Sequence, residues 1–174
     1  MENVLIFDDF LDPTEIQQLD TYVSNKRFSY GHTSGYGEKI TNQFFSIYNE
    51  EDFFKIYIKE KIEAAVNRKF KLKRHYMHVQ PFGLDGSYHI DDDGDNKWTF
   101  CIYYTSLSVE MFENQNAGGE FFLKIPGQLP IVSIETYTNR GIFFPSTYLH
   151  KGMAYNKDFG QMRLCLTWKM EEII

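Results

Sequence analysis

Apolar positions recur along the first third of the chain at helical spacing and along the rest at strand spacing. In PTEIQQLDTYV, Ile16, Leu19 and Val23 fall on one helical face, and the pattern predicts a helix over about 13–25. Asp12 is placed to cap it, Pro13 suits the first helical position and Glu15 can close a capping box. A second helix is predicted from near Glu50 to near Arg68, with Phe54, Ile58, Ile62, Ala65 and Val66 on one face and charges opposite.

After residue 70 the texture changes to short β-branched and aromatic runs separated by Gly, Asn, Asp and Pro: KRHYMHVQPF, WTFCIYYTS, EFFLKI, IVSIETY, GIFFP and RLCLTWKM. Short strands at this spacing predict an antiparallel sandwich or barrel, with the helices packed on one sheet. No repeat, low-complexity tract or Pro/Gly/Ser linker divides the chain. We expect one domain over 1–174, with 1–70 supplying a strand and supporting helices and 71–174 the β core.

Composition narrows the classes of function. Hydrophobic residues make up 43% and aromatics 17%, enough for a packed interior and too much for disorder. The formal charge of -6 opposes long-range attraction to phosphate backbones, so nucleic acid is disfavoured as a partner. The one basic segment, NRKFKLKRH, reads as the charged end of a helix entering a strand with its lysines in water. MENVLIFDDF lacks the features of a secretory signal, and no run approaches the ~20 apolar residues of a membrane span. With only Cys101 and Cys165, no disulfide framework is expected and a cytoplasmic setting is the default; viral or phage origin would leave the same pattern.

The candidate chemistry begins in YHIDDDGDNKW. His89 and Asp91 are two apart, so on a strand both point to one face and can share a metal. A calcium loop is rejected: counting from Asp91, Gly94 falls at position 4 rather than 6, and position 12 is Ile102. For a third ligand, His75 and His78 sit three apart and face opposite ways, while His32 lies in the loop-like GHTSGYG and is expected to be exposed. His150, after RGIFFPSTYLH, is open to either reading, a structural histidine or a ligand converging from another strand. Two histidines and one carboxylate on one side of a metal form the facial triad of non-haem Fe(II) oxygenases. In GQMRLCLTWKM, Arg163, Cys165 and Thr167 share one face and Leu164, Leu166, Trp168 and Met170 the other. The pattern alone reads as an amphipathic strand with its arginine in water; an arginine facing inward would instead suit the distal carboxylate of a dicarboxylate cosubstrate.

Taken in order, YHIDD, CIYYTS, AGGEFFLKIP, NRGIFFPSTYLHKG and GQMRLCLTW resemble the segments of the Fe(II)/2-oxoglutarate-dependent oxygenases, in the prolyl 4-hydroxylase-like branch. VLIFDDFLDPTEIQQL is similar to that family's opening strand and helix. The resemblance implies a double-stranded β-helix, a jelly-roll or cupin-like core. It further implies Fe(II) bound by His89, Asp91 and His150, and 2-oxoglutarate paired with Arg163, with Thr167 and Tyr104 adding hydrogen bonds and Ile102 lining the pocket. The implied activity is a dioxygenase that consumes O2, hydroxylates a substrate C–H bond and releases succinate and CO2, with ascorbate as an accessory reductant. Its implied substrates are a prolyl residue in a protein or peptide, a free amino acid or another small molecule. The loops 30–45 and 106–117 are expected to select among them. AlkB-type nucleic-acid demethylases carry a second arginine where this chain has Lys169, which weakens that branch. The alternative from another class is a jelly-roll binding module without catalysis, which predicts loss of the triad or the arginine; His89, Asp91, His150 and Arg163 are all present.

Overall fold

The computed structural model describes residues 3–33, 42–105, 110 and 117–174. Among the described residues the elements run in the order β1 (Leu5–Phe7), α1 (Pro13–Ser24), β2 (Ser29–Thr33), β3 (Gln43–Tyr48), a π-helical turn (Phe53–Ile58) running into α2 (Lys59–Val66), β4 (Phe70–Gln80), β5 (Lys97–Tyr104), β6 (Phe121–Lys124), β7 (Val132–Ile134), β8 (Gly141–Pro145), β9 (Leu149–Gly152), a 3-10 turn (Lys157–Phe159) and β10 (Arg163–Glu172).

The helix signals act as expected. Asp12 accepts hydrogen bonds from the Thr14 and Glu15 amides, and the Glu15 carboxylate accepts one back from the Asp12 amide. This satisfies donors that the first turn would otherwise leave free. Leu19 and Tyr22 of α1, and Phe54, Ile58 and Ile62 of the second helical stretch, are buried. Ala65, expected on that apolar face, is exposed in the last turn of α2.

Seven strands form the main sheet in the order β1-β8-β5-β10-β4-β3-β2, and three form a smaller one in the order β7-β6-β9. All pairings are antiparallel. One face of the main sheet packs on the helices through Met77, Phe100, Ile102, Leu166 and Trp168. The other face meets the small sheet through Cys101, Tyr103, Phe121, Leu123, Ile142 and Phe144. Helices, large sheet and small sheet thus make a layered double-stranded β-helix. Three strands escaped the sequence pattern: β2 and β9 are short, and QFFSIY of β3 begins inside the 30–45 stretch expected to be loop. Much of the two proposed selector loops, residues 34–41, 106–109 and 111–116, lies outside the described residues.

Among the described residues, no helix is long and apolar enough to cross a membrane.

Candidate metal centre

The triad is assembled by one local pairing. Residues 86–91 run beside β9: the Gly86 amide donates to the Gly152 carbonyl at 2.8 Å, and His89 and His150 exchange backbone hydrogen bonds at 3.0 and 2.9 Å. Directly opposed residues project to the same face, so the two imidazoles lie with centroids 4.4 Å apart. Asp91 is two residues on, and its amide is tied to the Ser146 carbonyl at 2.9 Å. Ligand atoms of His89, Asp91 and His150 all fall within 4.8 Å of one another. The Nε2 atoms of His89 and His150 stand 3.5 and 3.6 Å from the two Asp91 carboxylate oxygens.

The surroundings fix which atoms face inward. His89 Nδ1 lies 2.9 Å from the Ser87 carbonyl and His150 Nδ1 lies 2.8 Å from the Tyr148 carbonyl. A carbonyl can only accept, so each Nδ1 carries the proton and each Nε2 presents a lone pair to the centre. Burial, helped by His89, pushes His150 down to about 4 against the opposing pull of Asp91, so its ring is neutral at pH 7. Burial acts to raise the Asp91 carboxyl, but the imidazoles, chiefly His150, and the Lys169 ammonium outweigh it and hold the group well below its usual range. Thr99 Oγ1 donates to Asp91 Oδ2 at 2.7 Å and meets Ser146 Oγ at 2.9 Å, orienting the carboxylate. Two imidazoles with their Nε2 atoms turned inward and one oriented carboxylate are the donor set that suits Fe(II).

The triad opens into a cavity of about 750 Å³. At one end lies Arg163, 2% exposed. Its Nη1 donates to Gln80 Oε1 at 3.1 Å, its guanidinium lies 4.5 Å from the centre of the Tyr103 ring, and its Nε has no partner among the described residues. No described carboxylate pairs with it, although an uncompensated buried charge costs several kcal/mol in order of magnitude. Gly152 makes room: a Cβ there would stand 2.6 Å from Arg163 Nη1. Thr167 lies between Arg163 and the triad on the same face, with Oγ1 3.7 Å from Cys165 Sγ and 3.8 Å from Cys101 Sγ.

Two of the expected pocket residues point elsewhere. Ile102 is fully buried in the helix-side core, and Tyr104 packs against that same core. The pairing of Thr167 with Cys101 and of Cys165 with Tyr103 puts Cys101 and Tyr103 on the cavity side of β5 instead. His32 is also displaced from its expectation: it lies on β2, half-buried, lining the cavity with its ring stacked 6.0 Å from that of His78. His75 and His78 do face opposite ways, His75 into the helix-side core against Trp168 and His78 into the cavity. Arg74, read as part of a solvated basic stretch, turns inward as well.

No family model matches the sequence, and no curated protein is similar to it in sequence. Solved structures match over nearly its whole length. A prolyl-4-hydroxylase from Pseudomonas putida superposes with a TM-score of 0.72 at 13% identity, covering 99% of this chain and 94% of that one. A prolyl hydroxylase from Trichoplax adhaerens, in complex with a hypoxia inducible factor oxygen degradation domain peptide fragment, gives 0.70 at 19% identity, covering 98% and 84%. The viral collagen prolyl hydroxylase of Paramecium bursaria Chlorella virus-1, in complex with 2-oxoglutarate, gives 0.62 at 16%, covering 97% and 96%. The chain therefore has the double-stranded β-helix fold of the 2-oxoglutarate/Fe(II) oxygenases, with a His-Asp-His triad inside it. The three neighbours named are all prolyl hydroxylases.

Proposed function

We propose that the protein is an Fe(II)- and 2-oxoglutarate-dependent dioxygenase, one domain over 1–174, that hydroxylates a C–H bond in a peptide, with a prolyl residue as its target. The observation that carries the reading is the buried Arg163, which no described carboxylate neutralises, at the end of the cavity away from Lys169. The far carboxylate of 2-oxoglutarate matches the arginine's planar fork of donors, and the His-Asp-His triad shares the cavity with it.

His89, Asp91 and His150 would hold the iron, with Thr99 and the Ser87 and Tyr148 carbonyls orienting them. Arg163, steadied by Gln80 and Tyr103, would fix the cosubstrate, and Thr167 lines its path. When bound, iron with 2-oxoglutarate and O2 supplies the oxidation: one oxygen atom enters the substrate C–H bond and the other leaves in succinate, with release of CO2. The chain's own task is to position these groups and exclude water. Phe121 and Phe144 pack against the His150 ring, with centroids at 5.4 and 4.8 Å, and keep that side dry. The substrate class rests on the neighbours, two of which are named for hydroxylating or binding peptide or collagen substrates.

The test is incubation with Fe(II), 2-oxoglutarate and ascorbate in air against a proline-containing peptide library. The expected result is a peptide heavier by one oxygen atom, with stoichiometric succinate. Succinate formed only with non-peptide substrates would keep the chemistry and refute the peptide.

A further inference from the structure

Arg163 and the triad account for one end and the middle of the cavity; the other end carries two more cations. On β10 the inward residues are Arg163, Cys165, Thr167 and Lys169, and their partners on β4 are Gln80, His78, Tyr76 and Arg74. Lys169 and Arg74 are thus directly opposed, two positive charges on one face, an arrangement that destabilises a sheet unless something offsets it. Lys169 Nζ reaches Asp91 Oδ1 at 2.6 Å, but that oxygen belongs to the metal set. Arg74 lies 4.7 Å from the centre of the Tyr76 ring, its Nε is buried without a hydrogen-bond partner, and no described carboxylate pairs with it. Its neighbour Lys73 differs, since it faces Glu171 at 3.1 Å. Asp92, the other carboxylate lining the cavity, has one oxygen engaged by the Gly94 amide. A divalent metal would add further positive charge between these cations and Arg163. The exposed Tyr48, opposite Tyr76, lines the cavity toward this end.

We infer that Arg74 and Lys169 form a second anion subsite, distinct from Arg163, and that the substrate presents a carboxylate to it beside the carbon that is oxidised. This rests on the oxygenase reading above and narrows its substrate class to acids. The carboxylate can be a Glu or Asp side chain flanking the target residue of a peptide, or that of a small free acid. Bidentate engagement by Arg74, with Tyr76 behind it, would hold the group at a fixed distance from the triad.

The test is binding under anaerobic conditions to protein loaded with Fe(II) and 2-oxoglutarate, so that the Arg163 end is filled. The probes are the fluorescein-labelled peptides Gly-Glu-Pro-Glu-Gly and Gly-Gln-Pro-Gln-Gly, with free L-glutamate and N-acetyl-L-proline as competitors. The expected result is tighter binding of the acidic peptide by about tenfold or more, or Arg74-dependent competition by a free acid, which would assign the carboxylate to a small molecule. Arg74→Gln should erase the preference, and Arg74→Glu should shift it to a Lys-containing peptide. Equal affinity for both peptides with no competition by either acid, in protein that still shows the visible band of the iron–2-oxoglutarate chelate, would overturn this inference alone. Loss of that band in the wild type would overturn the oxygenase reading and the subsite together. Preference for a single-stranded oligonucleotide over the acidic peptide would replace the carboxylate with phosphate and overturn the assignment as stated.

Discussion

The two faces of the main sheet are built from the same strands and obey different rules. On β10, Leu164, Leu166, Trp168 and Met170 face the helices, while Arg163, Cys165, Thr167 and Lys169 face the cavity. On the helix side many side chains share the load, so the face is specified by being apolar and of the right volume. On the cavity side three polar atoms, Arg163 Nε, Arg74 Nε and His78 Nδ1, are buried without partners among the described residues, against one, His75 Nε2, on the helix side. Polar groups left unsatisfied cost stability, so the cavity side of the sheet carries more of that cost than the helix side. On the proposed function the helix side stabilises the fold and the cavity side receives the ligands.

The contrast predicts that the faces fail separately. Trp168→Ala empties a fully buried site whose Nε1 donates to the Phe54 carbonyl at 2.9 Å, and it should cost about 3–5 kcal/mol of stability by denaturant unfolding. At temperatures where the variant stays folded, its 2-oxoglutarate affinity should be nearly unchanged. Arg163→Gln should do the reverse, weakening 2-oxoglutarate by about 2–4 kcal/mol in a calorimetric titration with no comparable loss of stability. Gly152→Ala should follow it at smaller magnitude, because its Cβ displaces the guanidinium. Thr99→Val keeps the shape and removes the donor to Asp91, and should lower metal affinity by roughly 10–100-fold in a competition assay with a chelator.

The smallest effect sharpens the comparison through pH. His75 belongs to the apolar face, with its ring 4.2 Å from Trp168 and 5.4 Å from Phe54, and burial pushes it down to about 3. An unfolded histidine titrates near ~6.5, so between those values the unfolded state binds the extra proton. His75 therefore contributes stability that is fully present above about pH 6.5 and is lost as pH falls toward 3, with a slope of about 1.4 kcal/mol per pH unit. His32, His78 and His150 are displaced in the same direction by burial, so the metal-free protein should lose stability more steeply than one histidine allows. His75→Phe should reduce that slope by about one proton, as read from melting curves at pH 7, 6 and 5.

The faces also differ in how far the sequence exposed them. The alternation in RLCLTWKM sorted β10 correctly because its two faces differ in polarity. WTFCIYY offered no such contrast: β5 is buried on both sides, so Ile102 and Tyr104 could not be told from Cys101 and Tyr103 without the register to β10. His89 and Asp91 were legible from their spacing, and His150 only through the resemblance, since the bridge joining it to His89 spans 61 residues of chain. Arg74 was expected among solvated charges, and Lys169 entered only as the residue standing where the demethylases carry a second arginine. Their opposition is a product of β4–β10 pairing, which no local pattern encodes. His32 was read as loop because the strand that orders it, β3, was itself unrecognised.

The central claim is that one cavity holds a metal on His89, Asp91 and His150 and a dicarboxylate on Arg163. The most direct measurement is the visible absorption of the protein mixed anaerobically with Fe(II) and 2-oxoglutarate, beside His150→Ala. The account predicts a charge-transfer band in the wild type and none in the variant. A wild-type protein that is folded by circular dichroism and develops no band would contradict it.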